Sequence, residues 1–131
     1  IFVGVVGILT VLAGVIGVMN IMLIVVKERT REIGIRKALG AKPLNVVGLI
    51  LSEALVITGL AGYLGLFLGI VTLELMSFAL PPDTPYFQNP GVDLTIVFTA
   101  LGVIIFAGLV AGAIPAVKAA AIRPIEALRD E

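Results

Sequence analysis

The chain contains neither cysteine nor histidine among its 131 residues. Disulfide bonds, zinc sites built from those residues and histidine general bases are therefore excluded for this sequence. It also has no phosphate-binding glycine loop and no serine in a Gly-x-Ser-x-Gly turn. Its carboxylates Glu53 and Glu74 lie about six helical turns apart, too far for paired acid–base catalysis. We therefore do not expect the chain to be an enzyme by itself.

Charged residues are scarce, at 14% of the chain, whereas hydrophobic residues make up 60%. Three runs carry no charge, namely Ile1–Val26, Ala54–Leu73 and Leu94–Val117. Each is long enough to cross a bilayer as a helix, which takes roughly 20 apolar residues. Buried helices of a soluble protein are the alternative, but those are usually shorter and amphipathic. The composition predicts an all-α membrane protein with three transmembrane helices.

The basic residues are confined to two regions. All nine lysine and arginine residues lie within 27–42 or 118–129, and the proline-rich segment 81–93 has none. Short loops rich in lysine and arginine stay in the cytoplasm, so these two regions are predicted to lie inside. The zero net charge gives no indication of a nucleic-acid partner. The predicted organisation is a span over 1–26, a cytoplasmic segment over 27–42, a long span over 43–80, an extracytoplasmic loop over 81–93, a span over 94–117 and a cytoplasmic tail over 118–131.

Small residues recur at intervals of four in all three predicted spans. In lipid such residues let two helix backbones approach closely, although membrane helices are also rich in glycine generally. Asn20 either hydrogen-bonds across a helix pair or is solvated near the interface. The candidate helix-packing or dimer residues are Thr10, Ala13, Gly14, Gly17 and Asn20 in the first span, Ala61, Gly65 and Gly69 in the second, and Gly108 and Gly112 in the third.

The charged segment 27–42 has the features of a short helix in the inner interface. Opposite charges stand at helical spacing in the pairs Glu28/Arg31 and Glu32/Arg36. Ile33 and Leu39 provide apolar contacts, Gly40 suits a helix end, and Pro43 suits the first turn of the next helix. A basic loop that only fixes the topology is the alternative, but such a loop needs neither charge pairs nor a glycine stop.

Several residues mark the ends and irregularities of the predicted spans. The second span, if continuous, is about 55 Å long. Its Glu53 therefore lies either at the cytoplasmic interface or against a polar partner inside a helix bundle. Asp93 is a candidate N-cap for the third span, and Pro115 a candidate kink near its inner end. The tail is either a solvated helix or a docking element.

The segment from Glu28 to Ala41 reads Glu-Arg-Thr-Arg-Glu-Ile-Gly-Ile-Arg-Lys-Ala-Leu-Gly-Ala. It resembles the cytoplasmic signature of the FtsX-like permeases, the MacB-type ABC transporters. That signature is Glu-Arg, then Glu-Ile-Gly, a basic residue, Ala and Gly-Ala. Further matches are Glu53-Ala54 followed by Ala61-Gly62, Gly65 and Gly69, and then Pro115-Ala116, Ala119-Ala120, Pro124 and Ala127-Leu128-Arg129.

The resemblance implies that the chain is the C-terminal three-helix portion of a four-helix permease, a fragment of a longer protein with an extracytoplasmic domain. This expectation fits the abrupt apolar start and the lack of signal-peptide features. The implied partners are a second permease copy packed through the first span, a cytoplasmic ABC ATPase subunit or domain that holds ATP and Mg, and a periplasmic adaptor. This chain itself would bind no cofactor, and its location would be the bacterial inner membrane.

In this family the charged segment corresponds to a coupling helix that docks on the ATPase. We expect Arg31, Glu32 and Arg36 to contact the ATPase. We expect Ile33 and Leu39 to anchor the helix. The whole candidate set is Glu28, Arg29, Arg31, Glu32, Ile33, Gly34, Arg36, Lys37, Leu39 and Gly40.

The leading functional expectation is efflux of macrolides, peptides or similar compounds, driven by the ATPase. Lipoprotein release and control of cell-wall hydrolases are alternatives within the family. A passive dimeric scaffold is the alternative from another class, and it predicts no ATPase partner. An autonomous channel or transporter is disfavoured, because the spans contain few ionisable groups.

Overall fold

The computed structural model describes residues 1–79, 93–123 and 125. This part of the chain forms four helices, α1 (Phe2–Glu28), α2 (Thr30–Ala38), α3 (Pro43–Ala79) and α4 (Leu94–Ala121), and contains no strand. Three of them, α1, α3 and α4, are long and apolar enough to cross a membrane. The predicted fold class, three spans with a short helix between the first and second, is confirmed.

The long helices exceed the thickness of the hydrocarbon core. With 27, 37 and 28 residues, they are about 40, 55 and 42 Å long, against roughly 30 Å of hydrocarbon. The last helix, α4, runs through Pro115 to Ala121, one turn beyond the predicted end at Val117. Proline has no backbone N–H and crowds the carbonyl four residues earlier, so one hydrogen bond of the helix is absent at Pro115, but the helical conformation continues on both sides of it.

Local sequence signals set the helix ends. The side chain of Asp93 accepts a hydrogen bond from the backbone N–H of Thr95 at 3.3 Å, so the predicted N-cap of α4 is confirmed. After α2 the chain reverses at Gly40, whose φ is 95°. The N–H of Gly40 bonds to the carbonyl of Lys37, and the N–H of Ala41 bonds to the carbonyl of Arg36, both at 3.0 Å. These two bonds form a Schellman motif, which favours glycine at this position.

The two helices α3 and α4 pack antiparallel along a line of small residues. The facing pairs are Ala54 with Gly112, Thr58 with Gly108, and Gly62 with Ile104. A Cβ added at Gly112 would lie 2.8 Å from the Cβ of Ala54, and one added at Gly62 would lie 2.6 Å from Ile104. Such close approach requires the absence of a side chain, so these glycines set the distance between the two helices.

The predicted packing face of α3 was the stripe Ala61, Gly65 and Gly69, with Gly62 added to it. Within the described part of the chain, only Gly62 of that face packs closely against α4. In the described structure, no heavy atom comes within 4 Å of a Cβ placed at Gly65 or Gly69, and Ala61 is exposed. The helix instead turns Thr58 and Gly62 toward α4. In lipid both faces of such a helix are apolar, so hydrophobicity does not select between neighbouring stripes of small residues.

All four helices meet in one apolar cluster at the end that carries the charged segment. Its buried members are Met22 and Val26 of α1, Ile33 of α2, Val46, Ile50 and Ala54 of α3, and Ala116 and Ala119 of α4. Toward the other end the helices expose most of their large apolar side chains. The cluster therefore fixes α2 against the membrane helices.

Candidate functional site

The candidate site is α2 with the residues that hold it. Between α1 and α2 stands a single residue, Arg29, with φ −96° and ψ 13°. This conformation lies in the bridge region, so the chain changes direction there without a loop. The N–H of Arg29 still bonds to Val25, and its carbonyl accepts from Ile33. Any displacement of α2 therefore reaches α1 directly through the backbone.

The side chain of Arg29 joins α2 to α3. Its Nη1 donates to Oε1 of Glu53 at 2.7 Å, and its Nε and Nη2 donate to the two oxygens of Glu32 at 3.1 and 3.2 Å. Arg36 adds a further bond to Glu32 at 2.9 Å. The second oxygen of Glu53, Oε2, is buried and accepts no hydrogen bond from the described residues. The carboxylate of Glu53 therefore depends on Arg29 for its pairing.

This network shifts the pKa of two groups outside the membrane spans. The hydrogen bonds with Glu32, followed by the charge of Glu53, raise the pKa of Arg29 above its ordinary value. The same hydrogen bonds from Arg29 lower the pKa of the Glu32 carboxyl, and they outweigh the opposing effect of desolvation. Both groups are therefore held in their charged forms, which strengthens the hydrogen bonds between them.

Lys37 joins α2 to α4. Its Nζ donates to the backbone carbonyls of Ala120 and Ile122 at 2.6 and 2.7 Å. These carbonyls belong to the C-terminal end of α4, where a helix has no internal donors left and carries partial negative charge. The expected docking residue Lys37 is thus placed toward the membrane helices.

Ile33 and Leu39 have different surroundings, although both were expected to anchor α2. Ile33 is 3% exposed and belongs to the apolar cluster, and Gly34 beside it is also buried. Leu39 is 84% exposed in this chain, so it does not share the burial of Ile33, and its role as an anchor stays a prediction. Its position explains the difference, because it is the C-cap residue, beyond the last turn of α2.

The opposite side of α2 is exposed and charged. The exposed residues of this side are Arg31, Glu32, Ile35 and Arg36, together with Leu39 and Gly40 at the helix end, and Glu28 at the end of α1 is exposed as well. Of the two predicted charge pairs, Glu32/Arg36 is present. Glu28 and Arg31 form no ion pair within residues 1–79, 93–123 and 125, because the change of direction at Arg29 separates them. This side of α2 is therefore exposed in the part of the chain that the structure describes.

The sequence analysis missed one signal for the side of α2 that contacts the membrane helices. Arg29, Ile33 and Lys37 are spaced by four, so they lie on one face of the helix. Their contacts run to α3, to the apolar cluster and to α4 in that order. The spacing was visible in the sequence, but the partners were not, since they lie 24 and 83 residues away along the chain.

The predicted packing residues of α1 make no close contact within the described part of the chain. Nothing lies within 4 Å of a Cβ placed at Gly14 or Gly17. Thr10, Ala13 and Asn20 are exposed, and the hydroxyl of Thr10 bonds to the carbonyl of Val6 in its own helix at 2.8 Å. Gly14 lines a cavity between α1 and the pair α3 and α4, whereas Thr10, Ala13 and Gly17 do not line it.

The structure shows no metal site in its described residues, since no group of three or more His, Cys, Asp or Glu side chains lies together there.

A cavity of about 220 Å³ separates α1 from α3 and α4 near mid-span. Its lining is apolar apart from Thr58, whose hydroxyl bonds to the carbonyl of Ala54.

A family model described as FtsX-like permease C-terminal matches residues 4–124. The macrolide export ATP-binding/permease protein MacB of Azoarcus sp. (strain BH72) is 44% identical over 131 residues, which cover 100% of this chain and 19% of that protein. The uncharacterized ABC transporter permease YvrN of Bacillus subtilis (strain 168) is 40% identical over 111 residues, which cover 84% of this chain and 25% of that protein. The chain thus spans between 19% and 25% of the length of these two relatives. Because the family model covers nearly the whole chain, and the three spans and α2 match the predicted organisation, the chain belongs to the FtsX-like permease family, as part of its C-terminal region.

Proposed function

We propose that this chain is the permease portion of a MacB-type ABC transporter, in which α2 receives the movement of a cytoplasmic ATPase and passes it to the membrane helices. The proposal extends to efflux of macrolides, peptides or similar compounds across a bacterial inner membrane. ATP and Mg would be held by the ATPase, and a periplasmic adaptor would complete the assembly. The name of the Azoarcus relative supports an ATP-driven export role, and the name of the Bacillus relative supports an ABC transporter permease.

The observation that carries the proposal is the two-sided character of α2. One side is fixed to the membrane helices through Arg29, Ile33 and Lys37. The other side exposes Arg31 and Arg36. A helix that only fixed the topology would need the basic residues but not the three attachments. A coupling helix needs an exposed charged side and attachments to the membrane helices, because a force applied to the exposed side must move the spans.

We also propose that two copies pack through α1. Thr10, Ala13 and Gly17 support this, because they are exposed in a single chain and do not line the cavity between α1 and the other spans. Small residues at intervals of four are suited to close helix–helix contact in lipid. Lipoprotein release and control of cell-wall hydrolases remain alternatives, since the described residues give no information on the substrate.

The test replaces Arg31 by glutamate in the full-length protein, reconstituted with its ATPase in lipid nanodiscs. Arg31 is exposed and has no ion-pair partner among the described residues, so its loss should not unfold α2. We expect less ATPase to copurify and the rate of ATP turnover to fall by about tenfold. This corresponds to a loss of roughly 1–2 kcal/mol of binding free energy when a charged interface contact is removed. The matched control is Lys118→Glu, the same change on the exposed surface of α4.

Two results would contradict the proposal. If Arg31→Glu retained the same ATPase binding and turnover as the unmodified protein, α2 would not be the docking helix. If no ATPase copurified with the unmodified protein, the passive scaffold would be the better explanation.

A further inference from the structure

Two side chains attach α2 to two different membrane helices. At one end of α2, Arg29 pairs with Glu53 of α3 at 2.7 Å. At the other end, Lys37 binds the terminal carbonyls of α4. Both side chains lie on the face that also buries Ile33. The backbone connects α2 to α1 at Arg29 and to α3 through the short turn over residues 39–42, so α4 is the span that α2 reaches only through side chains.

The contact made by Lys37 has the properties of a clamp. An ammonium group has three donors, and two of them are used here, at 2.6 and 2.7 Å. Both acceptors are main-chain carbonyls at a helix terminus, which cannot rotate away as side chains can. Hydrogen bonds from a charged donor are short and directional, whereas the apolar contacts of Ile33 are non-directional and permit sliding.

We propose that Lys37 is a positioning residue that makes α4 follow α2. The inference rests on the proposed function, in which α2 is the helix that the ATPase moves. In this arrangement the backbone at Arg29 drives α1, and the clamp at Lys37 drives α4. The span α3 follows α2 directly through the turn over residues 39–42, and it also packs closely against α4 at Gly108 and Gly112. One short helix thereby moves all three spans together.

The test uses the full-length protein with its ATPase in nanodiscs and follows the far ends of two spans separately. A nitroxide label is placed on a single introduced cysteine, at Val5 of α1 or at Ile96 of α4, both of which are exposed. In the unmodified protein we expect ATP to change the spectrum at both positions. In Lys37→Met we expect the change at Ile96 to be about fivefold smaller, the lower end of the usual coupling range, while the change at Val5 persists.

The response at Val5 also reports that the variant is folded and bound to the ATPase. Lys37→Arg keeps a cationic donor and should restore the response at Ile96. Lys42→Met is the matched control, because Lys42 is exposed and its replacement should leave both responses unchanged. If Lys37→Met responded fully at Ile96, the clamp would be refuted and the proposed function would stand. If neither position of the unmodified protein responded to ATP, the proposed function itself would fail, and this inference with it.

Discussion

Replacing Gly112 by alanine tests whether glycines set the spacing of α3 and α4. The added Cβ would lie 2.8 Å from the Cβ of Ala54 and 3.2 Å from Cδ2 of Leu51. Carbon atoms pack best at about 3.5–4.0 Å. The Cβ of Ala54 is fixed by the backbone, so the two helices must separate by several tenths of an ångström. Overpacking of this kind costs about 1–3 kcal/mol.

An opposing effect reduces that loss. Alanine stabilises a helix interior by about 0.5–1 kcal/mol relative to glycine. We therefore expect Gly112→Ala to lower the free energy of unfolding by about 1–2 kcal/mol overall. Gly102→Ala is the control on the same helix, because no described atom lies within 4 Å of a Cβ at that position. That control should be neutral or slightly stabilising.

A second substitution separates the steric effect from a general loss of helix stability. Ala54→Gly removes the methyl group that Gly112→Ala would meet, so the double variant moves the methyl from one helix to the other. We expect the effects of the two substitutions on the free energy of unfolding to differ from additivity by at least about 1 kcal/mol. Independent sites deviate from additivity by only about 0.5 kcal/mol. Unfolding in detergent is followed by energy transfer between dyes on α3 and α4, attached at introduced cysteines. Additive effects, or a Gly112→Ala variant as stable as the control, would refute the reasoning.

Two further predictions concern α2. Ile33→Ala should lower the free energy of unfolding by about 2–5 kcal/mol, whereas Leu39→Ala should change it by less than about 0.5 kcal/mol. Both variants are measured by thermal or detergent unfolding. Equal losses in the two variants would contradict the finding that Ile33 is buried and Leu39 is exposed. The second prediction follows from Glu32, whose pKa is lowered in the folded protein by Arg29. A group with a lowered folded-state pKa contributes stability above the ordinary glutamate pKa, and that contribution is lost as the pH falls through the lowered value. The stability difference between the unmodified protein and Glu32→Gln should therefore shrink on acidification, and a difference that did not change with pH would argue against the Arg29–Glu32 contact.

Much of the secondary structure could be predicted because its signals are local. The uncharged runs marked the three spans, Asp93 marked the start of α4, and Gly40 marked the end of α2. Helix ends were less well predicted, since α4 continues through Lys118. The predicted loop 81–93, apart from Asp93, and half of the tail, residues 124 and 126–131, lie outside the described residues, so those expectations stay predictions. The cytoplasmic position of 27–42 also stays a prediction.

The sequence located the candidate site in α2, but it did not show which side of α2 contacts the membrane helices and which side is exposed. Lys37 and Arg31 are both basic residues of one short segment, and nothing in that segment shows that one binds α4 while the other is exposed. Glu53 was left open between an interfacial position and a polar partner. Its partner Arg29 lies 24 residues away, and their approach depends on how α3 crosses the end of α1.

By itself the sequence determined the number and length of the spans and the glycine stop after α2, because hydrocarbon thickness and backbone conformation act on a few neighbouring residues at a time. Only the tertiary structure decided which stripe of small residues faces a partner helix and which side of α2 is held. Lipid is as apolar as the helices, so no difference in hydrophobicity favours one face over another. The choice is made by close packing and by hydrogen bonds between residues far apart in the chain, such as those that Lys37 donates to Ala120 and Ile122.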